Sequence, residues 1–103
     1  MVELEEHHAW WRSRGRTGLR QLLIDGWDPA RVGSTASARR AYDGYAGEVV
    51  ALLRVGAGPD MVAQYLSEAE ERMDRPTRPA ELMGIAGQIV DWYAAEMRMR
   101  TPR

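Results

Sequence analysis

Residues 52–66, LLRVGAGPDMVAQYL, contain the clearest signal for the fold class. Apolar residues recur every three or four positions on both sides of a Gly-Ala-Gly-Pro break, which is the spacing of amphipathic helices. Gly56 stands where helices end on a left-handed residue. Pro59 suits the first position of the next helix, because the N–H that it lacks has no partner there. The stretch therefore predicts two helices joined by a short turn.

The same periodicity continues in both directions from this turn. It predicts one helix over 37–55, a second over 59–73 and a third that starts at Pro79 and runs towards Arg100. No segment shows the two-residue alternation of a half-buried strand. We therefore expect an all-α chain.

The N-terminal quarter also has helical composition, and a helix is expected to end near Gly26. Gly15 and Gly18 interrupt this quarter, and a glycine in a helix interior is less favourable than alanine by about 1 kcal/mol. We expect a bend there. The sequence leaves open whether residues 1–18 and the next helix form one continuous helix or two. The expected fold is a four- to five-helix, bundle-like single domain over 1–103.

Composition excludes several classes of site. The chain has 103 residues, with 14 basic residues that are all Arg, 15 acidic residues and no Cys. The absence of Cys excludes disulfides, thiol catalysis and cysteine-ligated metals. Lys, Phe and Asn are also absent, and because their codons are AT-rich, the bias indicates a GC-rich bacterial genome. No apolar run approaches the roughly 20 residues of a membrane span, so we expect a cytoplasmic protein without a membrane partner.

Catalytic chemistry is scarce in this sequence. His7 and His8 are the only histidines, and as neighbours on a helix they point about 100° apart, unlike the i, i+4 pair of a helical metal site. Ser13 follows His8, but nothing in the sequence orients it as a nucleophile. We expect no enzyme activity, catalytic residue, metal or other cofactor.

Charge is distributed unevenly along the chain. Residues 9–24 and 31–40 contain seven Arg and no acid, whereas residues 55–74 contain five acids and one Arg. Arg beside Trp is typical of nucleic-acid binding, of protein interfaces, and of Arg stems that cover rings at the rim of a core. The alternative of a nucleic-acid patch would use Trp10, Trp11, Arg12, Arg14, Arg16, Arg39 and Arg40.

Residues 52–66 also resemble one half of a bacterial helix-turn-helix motif. It has the rhythm L-L-x-x-G followed by V-A-x-x-L, which in those proteins precedes a basic recognition helix. Here residues 67–74 continue the same helix and are strongly acidic, so phosphate repulsion would oppose docking on DNA. Nucleic acid is therefore the less favoured partner.

A wider resemblance covers about residues 19–74. Trp27-Asp28-Pro29 with Val32, then Tyr42-Asp43-Gly44-Tyr45, Leu52-Leu53 with Gly56, and Tyr65-Leu66 resemble small uncharacterised bacterial proteins that read W-D-P-x-x-V, Y-D-x-Y, L-L-x-x-G and Y-L. The resemblance implies an all-helical, immunity-type protein that neutralises a toxin by direct binding. Arg39 and Arg40 depart from it, because the group has acids before the first Tyr.

We therefore expect a protein-binding module, with another protein as its partner and a homodimer as a further alternative through Trp and Met surfaces near both ends. The competing interpretation is structural: Tyr42 and Tyr45 share the apolar face of their helix, and acids on a helix are commonly just solvated. The expected partner-binding residues are Tyr42, Asp43, Tyr45, Glu68, Glu70, Glu71 and Asp74.

Overall fold

In a computed structural model, the chain is described over residues 2–27, 36–73 and 79–100. Its helical elements, in order, are α1 (Val2–Trp10), a π-helical segment (Trp11–Gly15), α2 (Arg16–Gly26), α3 (Ala36–Arg54), α4 (Pro59–Met73) and α5 (Pro79–Arg100). Within these ranges the structure has no strand, and the predicted all-α class is confirmed.

The N-terminal elements form one continuous run rather than two pieces. Trp10 and Arg16, which flank the π-helical segment, and Gly15, its last residue, all have right-handed helical backbone angles. The backbone N–H of Arg16 donates to the carbonyl of Trp11, five residues earlier, which is the bond that defines a π turn. The expected bend at the glycines is therefore wrong, because a wider helical turn takes its place.

The two glycines in this run have a packing role. A Cβ built on Gly15 would lie 2.8 Å from the Trp10 ring, and one built on Gly18 would lie 3.0 Å from Cζ2 of Trp92. Both residues thus leave room for an indole ring against the helix backbone. Their low helix propensity is offset by this close approach.

The turn between α3 and α4 confirms the prediction from the opening stretch. Gly56 has a φ of 90°, and its N–H donates to the carbonyl of Leu53 at 3.0 Å. The N–H of Ala57 donates to the carbonyl of Leu52, also at 3.0 Å, and the two bonds together form a Schellman motif. Pro59 then begins α4, as predicted.

The four helices α2 to α5 pack in a closed circuit around one core. α2 packs on both α3 and α5, while α4 packs on α3 and α5. Along α2 to α5 the buried apolar side chains recur at intervals of three or four residues, and Trp27 joins them at the end of α2. Fully buried members of this core are Leu19, Leu23, Ala46, Val49, Val62, Leu66, Ala69, Ala86 and Ile89.

Part of the W-D-P motif and one expected partner-binding residue lie outside the described residues. These positions are Asp28, Pro29, Val32 and Asp74.

The glycine contacts predict opposite effects for two Gly-to-Ala substitutions. Gly15→Ala forces a methyl group into the Trp10 ring, and we expect it to destabilise the fold by about 1–3 kcal/mol, as overpacking does. Gly44→Ala is the matched control, because no atom lies within 4 Å of a Cβ built there. We expect it to stabilise the fold by about 0.5–1 kcal/mol through helix propensity. Urea unfolding followed by circular dichroism measures both, and stabilisation by both substitutions would contradict this account.

Candidate functional site

The most elaborate polar site in the described part of the chain joins the π-helical segment to α5. The indole N–H of Trp10 donates to Oε1 of Glu96 at 2.9 Å, within the protein interior. Arg14 donates from Nε to Oε1 at 2.8 Å and from Nη2 to Oε2 at 2.9 Å, so its pairing with the carboxylate is bidentate. Trp10 and Glu96 are buried, whereas the Arg14 side chain is 62% exposed.

The ionisation of Glu96 follows from two opposed influences. Burial by itself raises the pKa of the carboxyl, because an ion loses its hydration there. Hydrogen bonds from Trp10 and Arg14, together with the charge of Arg14, stabilise the carboxylate and outweigh burial. The net pKa of Glu96 lies below its usual value of 4.5, and the site contains an anion at neutral pH.

A cleft of about 330 Å³ opens beside this ion pair. The π-helical segment and the start of α2 form one wall, and α5 forms the other. Hydroxyl groups, the ion pair and an indole ring all reach its surface. The lining residues are Ser13, Arg14, Thr17, Gly18, Trp92 and Glu96.

Aromatic rings pack behind the cleft and fix its walls. The centroid of the Trp10 ring lies 5.7 Å from that of Trp92, 5.8 Å from Tyr93 and 6.0 Å from Trp11. Nε2 of His7 and the hydroxyl of Tyr93 lie 3.0 Å apart, within hydrogen-bond distance. The Trp surfaces that suggested a homodimer therefore largely cover one another inside a single chain.

A second buried Trp–Glu pair closes the other end of the N-terminal run. The indole N–H of Trp27 donates to Oε2 of Glu70 on α4 at 2.7 Å. The rings of Tyr42 and Tyr45 lie 5.8 and 5.5 Å from the Trp27 ring, centroid to centroid. This pair fastens α2 to α4 across an aromatic cluster from α3.

These contacts correct the expected aromatic binding face. Tyr42 is only 2% exposed, so it belongs to the core and cannot contact a partner. Tyr45 is half-buried against Trp27. Asp43 is half-buried and accepts from Nη1 of Arg20 at 3.1 and 3.2 Å, which links α3 to α2. The contacts of Tyr42, Asp43 and Tyr45 are therefore those of helix packing.

The expected acidic face contains both exposed and buried residues. Glu68 and Glu71 are exposed on the outer side of α4, as predicted. Glu70 is 2% exposed, so its placement on a solvated acidic face is wrong. It lies four residues after the buried Leu66, and therefore on the core side of the helix.

The expected nucleic-acid patch loses its main stacking residue. Trp10 is 5% exposed and surrounded by rings, so no base can stack on it in this fold. Trp11 is half-buried, and Arg14 is paired with Glu96. The exposed cations that remain are Arg12, Arg16 and Arg40, while the side chain of Arg39 lies outside the described residues.

Sequence reasoning missed the two buried glutamates, although a signal for each is present. Glu96 lies seven residues after the buried Ile89, and Glu70 lies seven after the buried Ala63. An acid at a position of the apolar stripe indicates a buried hydrogen-bond partner, because an unpaired buried carboxylate is strongly disfavoured.

Tyr65 on α4 also has a perturbed ionisation. Its burial, and then the negative charge of Glu48 on α3, raise the pKa of Tyr65 to about 12, against a lowering by Arg72. The hydroxyl therefore keeps its proton far above neutral pH and is not a general base.

Comparison of the chain with protein-family models, with curated proteins and with solved structures gives no match. The resemblance to immunity-type proteins therefore stays a prediction. Among the described residues, no group of three or more His, Asp or Glu is arranged to hold a metal ion. None of the described helices combines the length and apolarity that crossing a membrane requires.

Glu96→Gln should change the acid stability of the protein. A carboxyl whose pKa is lower in the folded chain adds stability that is complete above its unfolded pKa and is lost as pH falls through the folded value. We therefore expect the native protein to lose this contribution below about pH 4.5. The variant should be less stable at pH 7 by about 1–3 kcal/mol, because charge-assisted hydrogen bonds are lost, and should lack this acid-dependent component.

Urea unfolding from pH 3 to pH 7 measures the difference, with Glu81→Gln, an exposed glutamate on the same helix, as the control. Parallel pH profiles for the native protein and Glu96→Gln would contradict the assignment.

Glu48→Gln should lower the pKa of Tyr65 from its value of about 12, since it removes a neighbouring negative charge. A raised tyrosine pKa adds stability that is present below the unfolded pKa of 10 and is lost as pH rises towards 12. Ultraviolet titration of tyrosinate, with Tyr65→Phe to assign the signal, measures the pKa. An unchanged Tyr65 titration in Glu48→Gln would count against the interaction.

Proposed function

We propose that this protein is a binding module whose outer α4 face, defined as Met61, Gln64, Glu68 and Glu71, contacts another protein. The observation that carries the proposal is the exposure of Met61, at 54%, on the same side of α4 as two exposed glutamates. Contiguous exposed apolar surface that is bordered by polar residues is typical of interaction sites.

A second exposed apolar residue stands at the α3–α4 turn. Val55, the residue before Gly56, is 76% exposed, and Met61 follows in the first turns of α4. Met adapts its shape to different surfaces because its side chain is unbranched and polarisable. The turn itself is fixed by the Schellman motif, so these residues are presented on a rigid support.

Charge indicates the kind of partner. The outer α4 face contains Glu68 and Glu71, with Asp60 exposed in the first turn and Arg72 as an exposed basic neighbour. A partner with a basic surface would be attracted at a distance, which raises association rates and favours one orientation. We infer a basic protein partner.

The finer form of this proposal is immunity-type neutralisation of a toxin. It is supported by the resemblance over residues 19–74, and by the fact that neutralisation by covering a surface requires no catalytic group. The alternative of nucleic-acid binding is supported only by the exposed Arg12, Arg16 and Arg40. Trp10 adds no base stacking to them, because its ring is buried. A mobility-shift series at about 50 mM salt separates the two, because phosphate contacts weaken steeply with salt.

The double substitution Glu68→Arg/Glu71→Arg should abolish partner capture. Reversal of both charges opposes a basic surface, and we expect affinity to fall by about tenfold or more. Affinity purification from the native lysate, at low and at moderate salt, identifies the partner, and titration calorimetry then measures its affinity for each variant.

Glu81→Arg/Asp91→Arg is the matched control, since it makes the same change in net charge at two exposed positions of α5. We expect it to retain the partner. Equal capture by the native protein and the α4 variant, or capture of no protein at either salt concentration, would overturn the proposal.

A further inference from the structure

The cleft between the π-helical segment and α5 has the chemistry of a ligand site and lies apart from the outer α4 face. We propose that it binds a small aromatic carboxylate, with the carboxylate on Arg14 and the ring on Trp92. Its volume of about 330 Å³ is at the small end of ligand sites, which suits a single ring and its acid group.

Arg14 supplies the anion-binding group. Its Nε and Nη2 donate to Glu96, which occupies one edge of the planar guanidinium. The second edge, formed by Nη1 and the other N–H of Nη2, has the two parallel donors that fit a carboxylate. The side chain is 62% exposed, and because Nε and Nη2 already donate to Glu96, the proposed ligand binds at this second edge.

Glu96 prepares Arg14 for this task. An Arg side chain loses considerable rotational freedom when it binds a ligand, and this loss weakens binding. Here the bidentate pair with a buried carboxylate already restricts the guanidinium before a ligand arrives. Glu96 also accepts from Trp10, so its oxygens are already engaged. The groups that the cleft offers to a ligand are therefore mainly hydrogen-bond donors.

Trp92 supplies the surface for a ring. It is half-buried, with one part against the backbone at Gly18 and its centroid 5.7 Å from that of Trp10. These contacts hold the indole in place while the remainder lines the cleft. An aromatic ligand gains from offset or edge-to-face contact with such a fixed ring.

Hydroxyl groups complete the lining opposite Trp92. Thr17 lies one turn beyond Ser13 on the same helical run, and both reach the cleft. Ser13 donates to the carbonyl of Trp10 at 3.3 Å, so its position is fixed. The Thr17 hydroxyl adds a donor for the second carboxylate oxygen.

Titration with benzoate, followed through the four indole N–H signals in a ¹H–¹⁵N spectrum, tests the proposal. We expect saturable shifts of the Trp92 and Trp10 signals, with the Trp27 signal unmoved, because Trp27 lies in the other aromatic cluster. Benzamide, which has the ring without the charge, and acetate, which has the charge without the ring, should each bind at least about tenfold more weakly.

Two variants assign the contact to named groups. Arg14→Gln should weaken benzoate binding by about tenfold or more, the factor expected for loss of a charge-assisted hydrogen bond. Thr17→Val keeps the Arg14–Glu96 pair and the side-chain shape, and should weaken binding by about threefold to tenfold. Arg54→Gln, at an exposed arginine on α3, is the control and should bind as the native protein does.

Several results would overturn the proposal. These are shifts that do not saturate, equal movement of the Trp27 signal, benzamide binding as tight as that of benzoate, or unchanged affinity in folded Arg14→Gln. If Arg14→Gln does not fold, unchanged affinity in Thr17→Val overturns the assigned pose by itself.

Discussion

The convergence of Trp10 and Arg14 on the buried carboxylate of Glu96 is the interaction around which the N-terminal part of the fold is organised. It joins residues 86 positions apart in the chain, and so fixes the first helical run against the last helix. The ring of Trp10 then needs space beside the backbone, which Gly15 provides within the π-helical segment. The π-helical segment, with its hydrogen bond between residues five apart, begins directly after Trp10 and ends at Gly15.

The same chemistry recurs at the far end of that run, where Trp27 donates to Glu70. Both pairs satisfy an indole N–H and part of a carboxylate away from water, where either group alone would be strongly unfavourable. Buried ionic groups of this kind are weak evidence for high stability, since apolar residues of similar volume often do as well. Their geometry does restrict alternatives: a shift of the N-terminal run along α4 or α5 would break both hydrogen bonds at once. We therefore attribute the register of this helix to the two glutamates.

The sequence predicted the elements better than it predicted their contacts. The apolar spacing and Gly56 identified α3, α4 and the turn between them, because both signals are local to the chain. Gly15 and Gly18 suggested a break, since nothing local shows that a ring from Trp10 or Trp92 will lie there. Composition groups Glu70 with its acidic neighbours for a similar reason: its partner, Trp27, is 43 residues away. Composition describes a segment, whereas burial depends on which side of the helix a residue occupies.

In the folded protein, part of the uneven charge along the chain is neutralised by ion pairs between helices. Arg14 pairs with Glu96 and Arg20 with Asp43, so part of the basic N-terminal segment is matched by acids of α5 and α3. Part of the charge segregation that suggested a binding patch therefore reflects ion pairs between helices. Glu68 and Glu71, on which the proposed partner surface depends, are exposed and lie outside these two ion pairs. Arg14 pairs with Glu96 through Nε and Nη2, yet 62% of its side chain is exposed to solvent.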